Sequence, residues 1–258
     1  MKATYLIPTI KPDFCIKKIV NQIENLEKHD HEIIIISSQN INIENSNIKF
    51  VFDDKNIGSI YALNKGYKES SGDVIFVMVD DHSIPNNLLS IYKYFETQEF
   101  KNKKAKIANL TDCLGGPGYI MEQKVPAHKN SKIEWSLYSN IIPSGSIAPG
   151  PFPINFPYAK KYNVICFPVI FRETIDKYLG GVIYNEKFHQ CYADHWLGFY
   201  TDYMLNQNDF NYGPKDIWLD SIPTFGNLVV RHEKQEIDKN IFLELVKNLM
   251  ENKSTKYN

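Results

Sequence analysis

The stretch Gly72–Asp81, GDVIFVMVDD, decides the fold that we expect for this chain. It starts at a glycine, runs through apolar residues typical of a buried strand, and ends in two adjacent carboxylates, Asp80 and Asp81. Adjacent like charges disfavour joint ionisation unless a cation or a hydrogen-bond donor offsets them. The end of this strand is therefore a candidate ligand or cation site.

Strand and helix patterns alternate on both sides of this stretch, as far as about residue 112. Short β-branched runs predict strands, and apolar residues at helical spacing predict the helices between them. This alternation is typical of an α/β fold with a mostly parallel central sheet flanked by helices. The predicted strands are 2–8, 32–38, 48–54, 73–81 and 105–112, and the predicted helices are 12–29, 59–72 and 86–98.

Polar residues follow four of the predicted strands. In a parallel sheet the ligand site lies outside the carboxyl ends of the strands, so we expect these residues to share one edge. They are Pro8 and Thr9, Ser37 and Ser38, Asp53 and Asp54, and Asp80, Asp81 and His82.

The composition excludes several classes of protein. The 258 residues are 43% hydrophobic and 23% charged, which is typical of a globular protein. A formal net charge of −1 gives no general attraction to nucleic acid, and no apolar run reaches the length of a membrane span. Four scattered cysteines lack a zinc-type spacing and predict free thiols in a reducing cytoplasm. We expect a cytoplasmic protein, with peripheral membrane association left open.

Several nucleotide and hydrolase motifs are absent. The first predicted strand is not followed by GxGxxG, and the chain contains neither GxxxxGK[ST] nor GxSxG. A dinucleotide site, a P-loop and a nucleophile elbow are therefore not expected. What remains is a crevice lined by carboxylates, which suits a hard divalent cation that bridges oxygen ligands to phosphate.

The segment Asn56–Asp81, NIGSIYALNKGYKESSGDVIFVMVDD, resembles the central motif of family 2-type glycosyltransferases of the GT-A fold. The resemblance implies a metal-dependent, inverting hexosyltransferase-like enzyme with Mn2+ or Mg2+ as cofactor. It also implies a nucleotide-sugar donor and a glycan or lipid-linked acceptor. We expect a single GT-A domain over 1–258, with a donor-binding half at 1–112 and an acceptor half at 113–258.

The acceptor half begins with Gly/Pro-rich stretches at 113–158, which we interpret as long loops that close over the donor. Its later pattern resembles the family's second motif. The predicted elements here are a strand and a helix within 163–181, a helix at 191–207, strands at 217–223 and 227–233, and a C-terminal helix at 238–253.

The resemblance assigns roles to individual residues. Asp194 matches the acid that deprotonates the acceptor hydroxyl, although Ala193 stands where the family has Glu, and Trp196 is expected near the sugar or acceptor. Asp81 matches the metal-binding acid, and His232 is a second candidate ligand. The resemblance implies donor contacts at Pro8, Thr9, Ser38, Asp54, Asn64, Lys65 and Asp80.

This sequence departs from the family's pattern at two places. Val79 stands where the first acid of DxD is expected; the shifted register would instead make His82 a ligand. The acid that the family often uses on the base is also absent from the second strand, which ends in Ser37 and Ser38. The donor base therefore stays open.

Simpler interpretations exist for the same residues. Asp80 and Asp81 could cap a following helix, and Asp194 could be the N-cap of its own helix. Gly58 and Gly66 could serve turns and packing, and Trp135, Trp196 and the tyrosines could pack in the core or in loops instead of contacting a sugar. Arg172 starts a predicted helix near the expected cleft, where it could contact a phosphate.

Two other functions remain open at the sequence level. One is a nucleotidyltransferase on a related sheet, although the first strand lacks the Gly-rich basic loop that a triphosphate needs. The other is a catalytically degenerate nucleotide- or glycan-binding module, since the first acid of DxD is absent.

Overall fold

The fold comes from a computed structural model of the chain. The residues that the structure describes are 1–10, 16–39, 47–78, 80, 88–112, 165, 167–189, 191–205, 218–219, 232–251 and 256–258. The predicted closing loops at 113–158 lie outside these residues.

Eight strands are present in the described part of the chain. They are β1 Ala3–Pro8, β2 His31–Ser37, β3 Ile48–Phe52, β4 Val74–Val77, β5 Ile107–Asn109, β6 Thr111–Asp112, β7 Pro168–Phe171 and β8 Trp218–Leu219.

Seven α-helices accompany them in the same described residues, and a π-helical turn, Ile16–Val20, leads into the first. They are α1 Asn21–Leu26, α2 Ser59–Lys68, α3 Leu88–Glu96, α4 Gln98–Asn102, α5 Arg172–Tyr178, α6 Ala193–Met204 and α7 His232–Met250. None of the helices within the described residues is long and apolar enough to cross a membrane.

Six strands form one mixed sheet in the order β3-β2-β1-β4-β7-β5. The strands β1 to β4 are mutually parallel where they pair, whereas β7 runs antiparallel to both of its neighbours. A separate parallel pair joins β6 to β8. The predicted α/β class and the mostly parallel central sheet are therefore confirmed.

All strands of the sheet except the edge strand β3 bury both of their faces, which explains their nearly continuous apolar sequence. Side chains alternate along β2, so that Ile33 and Ile35 join one core cluster and Ile34 and Ile36 join the other. The helix α2 packs on the second of these faces. Gly66 makes this contact close, because a Cβ there would lie 2.7 Å from Ile36 Cδ1.

Gly72 is required at the start of the stretch that leads into β4. A Cβ on Gly72 would lie 2.9 Å from the backbone nitrogen of Thr4 and would overlap the Thr4 hydroxyl. Instead the Gly72 N–H donates to that hydroxyl at 3.0 Å. The glycine therefore lets the turn before β4 lie directly against β1.

The predicted end of the chain needs one correction. The strand expected at 227–233 does not include its last two residues, because α7 begins at His232, six residues before the helix expected from residue 238. Residues 227–231 lie outside the described part of the chain. His232 therefore starts a helix.

Candidate functional site

Thr9 and Asp80 join the ends of the two central strands, β1 and β4. The Thr9 hydroxyl donates to Asp80 Oδ2 at 2.7 Å, and Thr9 itself is buried. Thr9 and Asp80 are 71 positions apart in sequence, and so are Leu6 and Val77, the last residues that pair between β1 and β4. The side-chain contact therefore continues the parallel register of these two strands beyond their ends. One of the two carboxylates that follow β4 thus has a hydrogen-bond donor.

The polar ends of β2 and β3 lie beside them. The Thr9 N–H donates to the Ile36 carbonyl at 2.9 Å, and the Asp53 N–H donates to the Ser37 carbonyl at 2.7 Å. Pro8 pairs with Ile36 in the register of β1 and β2. The polar strand ends therefore share the carboxyl edge of the sheet, as the alternating pattern predicts, and Ser38 is partly exposed there.

Asp53 shapes the loop that leads from β3 into α2. Its buried carboxylate accepts the backbone N–H groups of Lys55 and Asn56, at 3.3 and 3.1 Å. The loop then reaches Gly58, whose φ of 137° lies in a region that favours glycine. Asp53 thus has a backbone-shaping role that sequence reasoning did not assign to it.

Asp54 and Lys65, both expected to contact the donor, form an exposed ion pair with each other. The hydrogen bond from Lys65 lowers the pKa of the Asp54 carboxyl, and the same bond raises the pKa of the Lys65 ammonium. Lys65 also lies 6.0 Å from the centre of the Tyr61 ring. A bound phosphate would compete with Asp54 for this lysine.

Asn64 is buried, with 1% of its surface exposed. Its Oδ1 accepts the N–H groups of Ile183 and Tyr184 at 3.0 and 3.1 Å, and its Nδ2 donates to the Tyr184 carbonyl at 2.7 Å. The side chain thus ties α2 to the loop before α6. The structure gives Asn64 a bridging role, and direct contact with a donor would require one of these bonds to break.

Asp194 lies at the same edge as the strand ends. Because β7 runs antiparallel, its first residue, Pro168, lies at the carboxyl edge, where it pairs with Asn109 at the end of β5. Just before β7, the Ile165 N–H donates to the Asp194 carbonyl at 3.3 Å. The start of α6 is therefore held beside the edge that carries Thr9 and Asp80.

Asp194 occupies the first turn of α6 and is not its N-cap. The N-cap is Tyr192, with a φ of 60° and no side-chain capping bond. The Asp194 Oδ1 accepts the N–H of His195 at 2.9 Å. Burial lowers the pKa of the His195 imidazole, while the neighbouring charge of Asp194 opposes this shift.

Trp196 lies in the core, away from any sugar. It is 1% exposed, and its Nε1 donates to the Tyr257 carbonyl at 2.9 Å. The Tyr257 ring stacks at 6.2 Å from Trp196, and its hydroxyl donates to the Ile183 carbonyl at 2.9 Å. The expectation that Trp196 lies near the sugar or acceptor is therefore wrong, because packing and hydrogen bonding bury the indole.

Arg172 also lies away from the site. Its Nε donates to the Gly72 carbonyl at 2.8 Å and its NH2 group donates to the Ser70 hydroxyl at 2.6 Å, beside the start of β4. The starts of the parallel strands form the amino edge, opposite the polar strand ends. The expectation that Arg172 lies near the cleft is therefore wrong.

Part of the expected metal site lies outside the residues that the structure describes. Asp81 and His82 lie outside the described residues, as does the side chain of His232. Within the described residues, no group of three His, Cys, Asp or Glu side chains could hold a metal ion.

His189 and Asp238, which sequence reasoning missed, form a pair beside the carboxyl edge of the sheet. The His189 Nδ1 lies 2.8 Å from Oδ1 of Asp238, a fully buried residue of α7. The two residues are 49 positions apart, so no local spacing indicates the pair.

Comparisons with known proteins bear on the fold. No protein-family model matches the chain. The uncharacterized glycosyltransferase YwdF of Bacillus subtilis (strain 168) is 32% identical over 95 residues, which cover 36% of this chain and 35% of YwdF. The match thus spans about a third of that relative.

Two solved structures resemble the chain at low identity. The mannosyltransferase PcManGT from Pyrobaculum calidifontis, in complex with GDP-Man and Mn2+, has a TM-score of 0.51 at 14% identity, covering 87% of this chain and 58% of that one. S. aureus TarS 1-349 in complex with UDP-GlcNAc has a TM-score of 0.37 at 14% identity, covering 43% of this chain and 34% of TarS. The TarS likeness is too partial to bear on the fold.

The mixed α/β sheet and the likeness to the mannosyltransferase both support the GT-A fold. The partial match to YwdF supports the resemblance to glycosyltransferases from sequence. The expected resemblance to glycosyltransferases is confirmed, and this chain has the GT-A fold.

Proposed function

We propose that this protein transfers a sugar from a nucleotide-sugar donor to a hydroxyl of a glycan or lipid-linked acceptor. The observation that carries the proposal is the shared position of two groups at one edge of the sheet. The bonded pair of Thr9 and Asp80 lies at the strand ends, and a backbone hydrogen bond joins Asp194 to Ile165, which precedes β7 at the same edge. Ligands of such sheets bind at this edge.

The donor diphosphate lies along the strand ends in this proposal, with contacts from Pro8, Thr9 and Ser38. Asn64 supports the site indirectly, because its amide holds the loop before α6. Lys65 is paired with Asp54, so a donor phosphate would share this lysine with the carboxylate or displace it. These roles are supported by the positions of the side chains at the carboxyl edge.

A divalent cation fits the chemistry of the strand ends, where carboxylate and hydroxyl oxygens are the ligands that Mn2+ and Mg2+ prefer. Asp81 would hold it, with Asp80 beside it and His232 as a further candidate. When bound, the cation supplies positive charge against the leaving diphosphate. The mannosyltransferase with the same fold was solved with Mn2+.

Asp194 is the proposed general base. It accepts the proton of the acceptor hydroxyl as that oxygen attacks the anomeric carbon, and the nucleoside diphosphate departs with the bonding electrons. Single displacement of this kind inverts the anomeric configuration.

A panel of nucleotide-sugars assayed with Mn2+ for nucleoside diphosphate release tests the function. Release that depends on an added acceptor supports transfer. Pyrophosphate release from a nucleoside triphosphate would instead indicate a nucleotidyltransferase. Nucleotide binding without turnover of any donor would indicate a binding module.

A further inference from the structure

The residue just before α6 has a strained backbone. Tyr192 has a φ of 60° and a ψ of −2°, in the left-handed region that residues other than glycine rarely adopt. Asn56 is the only other non-glycine residue with a positive φ in the described part of the chain, and it too lies in a loop at the carboxyl edge. Strain of this kind persists only where the surrounding structure enforces it, and it concentrates at functional sites.

Asp238 of α7 supplies hydrogen bonds that hold the chain before this turn. Its side chain is fully buried, and its Oδ2 accepts the N–H of Cys191, the residue before Tyr192, at 2.8 Å. Its Oδ1 accepts the backbone N–H of His189 at 2.9 Å and lies 2.8 Å from the ring Nδ1 of the same residue. One buried carboxylate therefore fixes the residues that lead into the left-handed turn.

Aromatic packing against α7 also holds the turn. The Phe242 ring lies 5.7 Å from the Tyr192 ring and 6.1 Å from the His195 ring, measured between ring centres. The Tyr192 side chain makes no capping hydrogen bond to α6, while its carbonyl accepts the N–H of Trp196 at 2.8 Å. The direction in which α6 starts is therefore set by contacts with α7 and not by a side-chain cap.

Asp194 follows Tyr192 by two residues, in the first turn of α6. Burial raises the pKa of the Cys191 thiol to about 11, and the charges of Asp238 and Asp194 add to this shift, so both carboxylates lie close to that residue. If Tyr192 relaxed to a negative φ, the first turn of α6 would change direction and carry the Asp194 carboxylate with it. The left-handed turn therefore sets where Asp194 lies at the carboxyl edge.

We propose that Asp238 is a positioning residue for glycosyl transfer, because it clamps the left-handed turn at Tyr192 and thereby places Asp194. The role of Asp194 as the base rests on the proposed function. Asp238 is fully buried, so its loss should change the rate of transfer and not the binding of the donor. A displacement of about 1 Å between reacting groups can lower a rate about a hundredfold.

The chain contains a matched control for this clamp. Glu27 is another buried carboxylate, and it accepts the backbone N–H groups of Lys28 and His29 at 2.8 and 2.9 Å, as well as two tyrosine hydroxyls. Its Oε1 also lies 3.0 Å from the Nδ1 of His29. Glu27 lies between α1 and β2, at the amino edge and opposite the site. Loss of either carboxylate should lower stability, but only loss of Asp238 should slow transfer.

The first test compares Asp238→Asn with Glu27→Gln in steady-state transfer assays on the full chain. The amide of Asp238→Asn keeps one oxygen for His189 but turns an N–H group toward the N–H of Cys191, so it breaks the bond that precedes the turn. We expect this variant to lower kcat about tenfold while the donor KM and the nucleoside diphosphate affinity stay within about twofold of wild type. Glu27→Gln should keep the wild-type kcat.

Two variants at the turn itself separate positioning from stability. Tyr192→Gly and Tyr192→Val lose the same ring, but only glycine adopts a φ of 60° without strain. We expect the valine variant to have a kcat about tenfold below that of the glycine variant. Adding Asp238→Asn to Tyr192→Gly should cost less than adding it to wild type, because the turn no longer needs the clamp. If Asp238→Asn does not fold, this pair tests the inference alone.

Hydrogen exchange at residues 191–195 gives a readout that does not depend on activity. The Cys191 N–H is bonded to Asp238, so it should exchange slowly in wild type. Asp238→Asn and Tyr192→Val should each speed exchange in this segment, whereas Glu27→Gln should leave it unchanged.

Two results would overturn the inference and leave glycosyl transfer standing. One is an equal kcat in Asp238→Asn and wild type, and the other is an equal kcat in Tyr192→Gly and Tyr192→Val. If wild type turns over no donor, the proposed transfer is rejected and hydrogen exchange decides on the clamp. Faster exchange at residues 191–195 in Asp238→Asn alone of the two carboxylate variants keeps the clamp, and unchanged exchange rejects it.

Discussion

The Thr9 hydroxyl donates to Asp80 Oδ2 at 2.7 Å, across the ends of the two central parallel strands. This bond gives one of two adjacent carboxylates a fixed orientation at the edge where the ligand is expected. We predict that Thr9→Val weakens binding of a nucleoside diphosphate with Mn2+ about tenfold, because Asp80 loses its donor. Calorimetry would measure the affinity.

Thr9→Ser is the matched control, because it keeps the hydroxyl and should keep the affinity. If Thr9→Val bound the nucleotide as tightly as wild type, the hydrogen bond would have no part in ligand binding.

Asp194 should be needed for transfer but not for donor binding. We predict that Asp194→Asn lowers kcat by about a hundredfold or more, since the amide cannot accept the acceptor proton. Nucleoside diphosphate affinity should stay unchanged. Initial rates and calorimetry on the same preparation would separate the two effects.

Glu173→Gln is the control for Asp194→Asn. Glu173 lies in the first turn of α5, next to the amino edge, as Asp194 lies in the first turn of α6. The Glu173→Gln variant should keep full transfer activity. Full transfer by Asp194→Asn would remove Asp194 from the role of base.

Asn64 should contribute to stability through its buried amide. We predict that Asn64→Ala lowers the free energy of unfolding by about 3 kcal/mol, because buried N–H groups of Ile183 and Tyr184 lose their acceptor. Urea denaturation would measure this loss. The exposed Asn21, whose Nδ2 donates to the Lys17 carbonyl, provides the control, and Asn21→Ala should cost much less.

Hydrogen exchange would show where the loss occurs. Protection should fall first in the loop that contains residues 183–184. Equal unfolding free energies for Asn64→Ala and Asn21→Ala would show that the bridge contributes nothing.

Glu32 should make stability depend on acid pH. Burial alone would raise the pKa of its carboxyl, but hydrogen bonds from Thr4, Ser71 and Lys2 outweigh burial and lower it from 4.5 to about 2. The folded pKa is below the unfolded one, so this stabilisation is complete above about pH 4.5 and is lost as the pH falls toward 2. The full effect is on the order of 3 kcal/mol.

Glu32→Gln tests this dependence. The difference in unfolding free energy between wild type and variant should be largest near neutral pH and should shrink below pH 4.5. Denaturant melts at several pH values would measure it. A difference that stayed constant down to pH 2 would contradict the assignment to this carboxyl.

Gly72 should tolerate no side chain. We predict that Gly72→Ala lowers the unfolding free energy by about 2–4 kcal/mol, because the methyl group would press on the backbone of β1 at Thr4. Gly181→Ala is the control: its φ is +79°, but a Cβ there meets no atom within 4 Å. That variant should lose about 1 kcal/mol from backbone strain alone.

Urea denaturation of both variants would measure the difference. If Gly72→Ala cost no more than Gly181→Ala, the close approach to Thr4 would not explain the glycine at position 72.

Local pattern was sufficient for much of the site. The apolar run that ends at Asp80 predicts a strand, and parallel strands bring their carboxyl ends together, so Thr9 and Asp80 could be expected at one edge. Their hydrogen bond bears out this reasoning geometrically. The roles of the individual side chains in binding remain predictions.

Local pattern was insufficient where partners are distant in sequence. Asn64 and Lys65 follow each other in one motif, yet the first is buried against the loop at 183–184 and the second pairs with Asp54. Arg172 lies at the amino edge because β7 runs antiparallel, which brings its last residue, Phe171, beside Val74. The amino-acid composition of β7 does not indicate whether the strand runs parallel or antiparallel to its neighbours.

The sequence by itself determined the α/β class, the positions of the first strands along the chain and the edge at which their polar ends meet, because side-chain periodicity and apolar runs are local properties of a chain. The tertiary structure alone decided the antiparallel insertion of β7 between β4 and β5, and with it the position of Asp194. It also decided the pairing of His189 with Asp238. These contacts join segments far apart in sequence, and they form only when helices and strands pack around a common core.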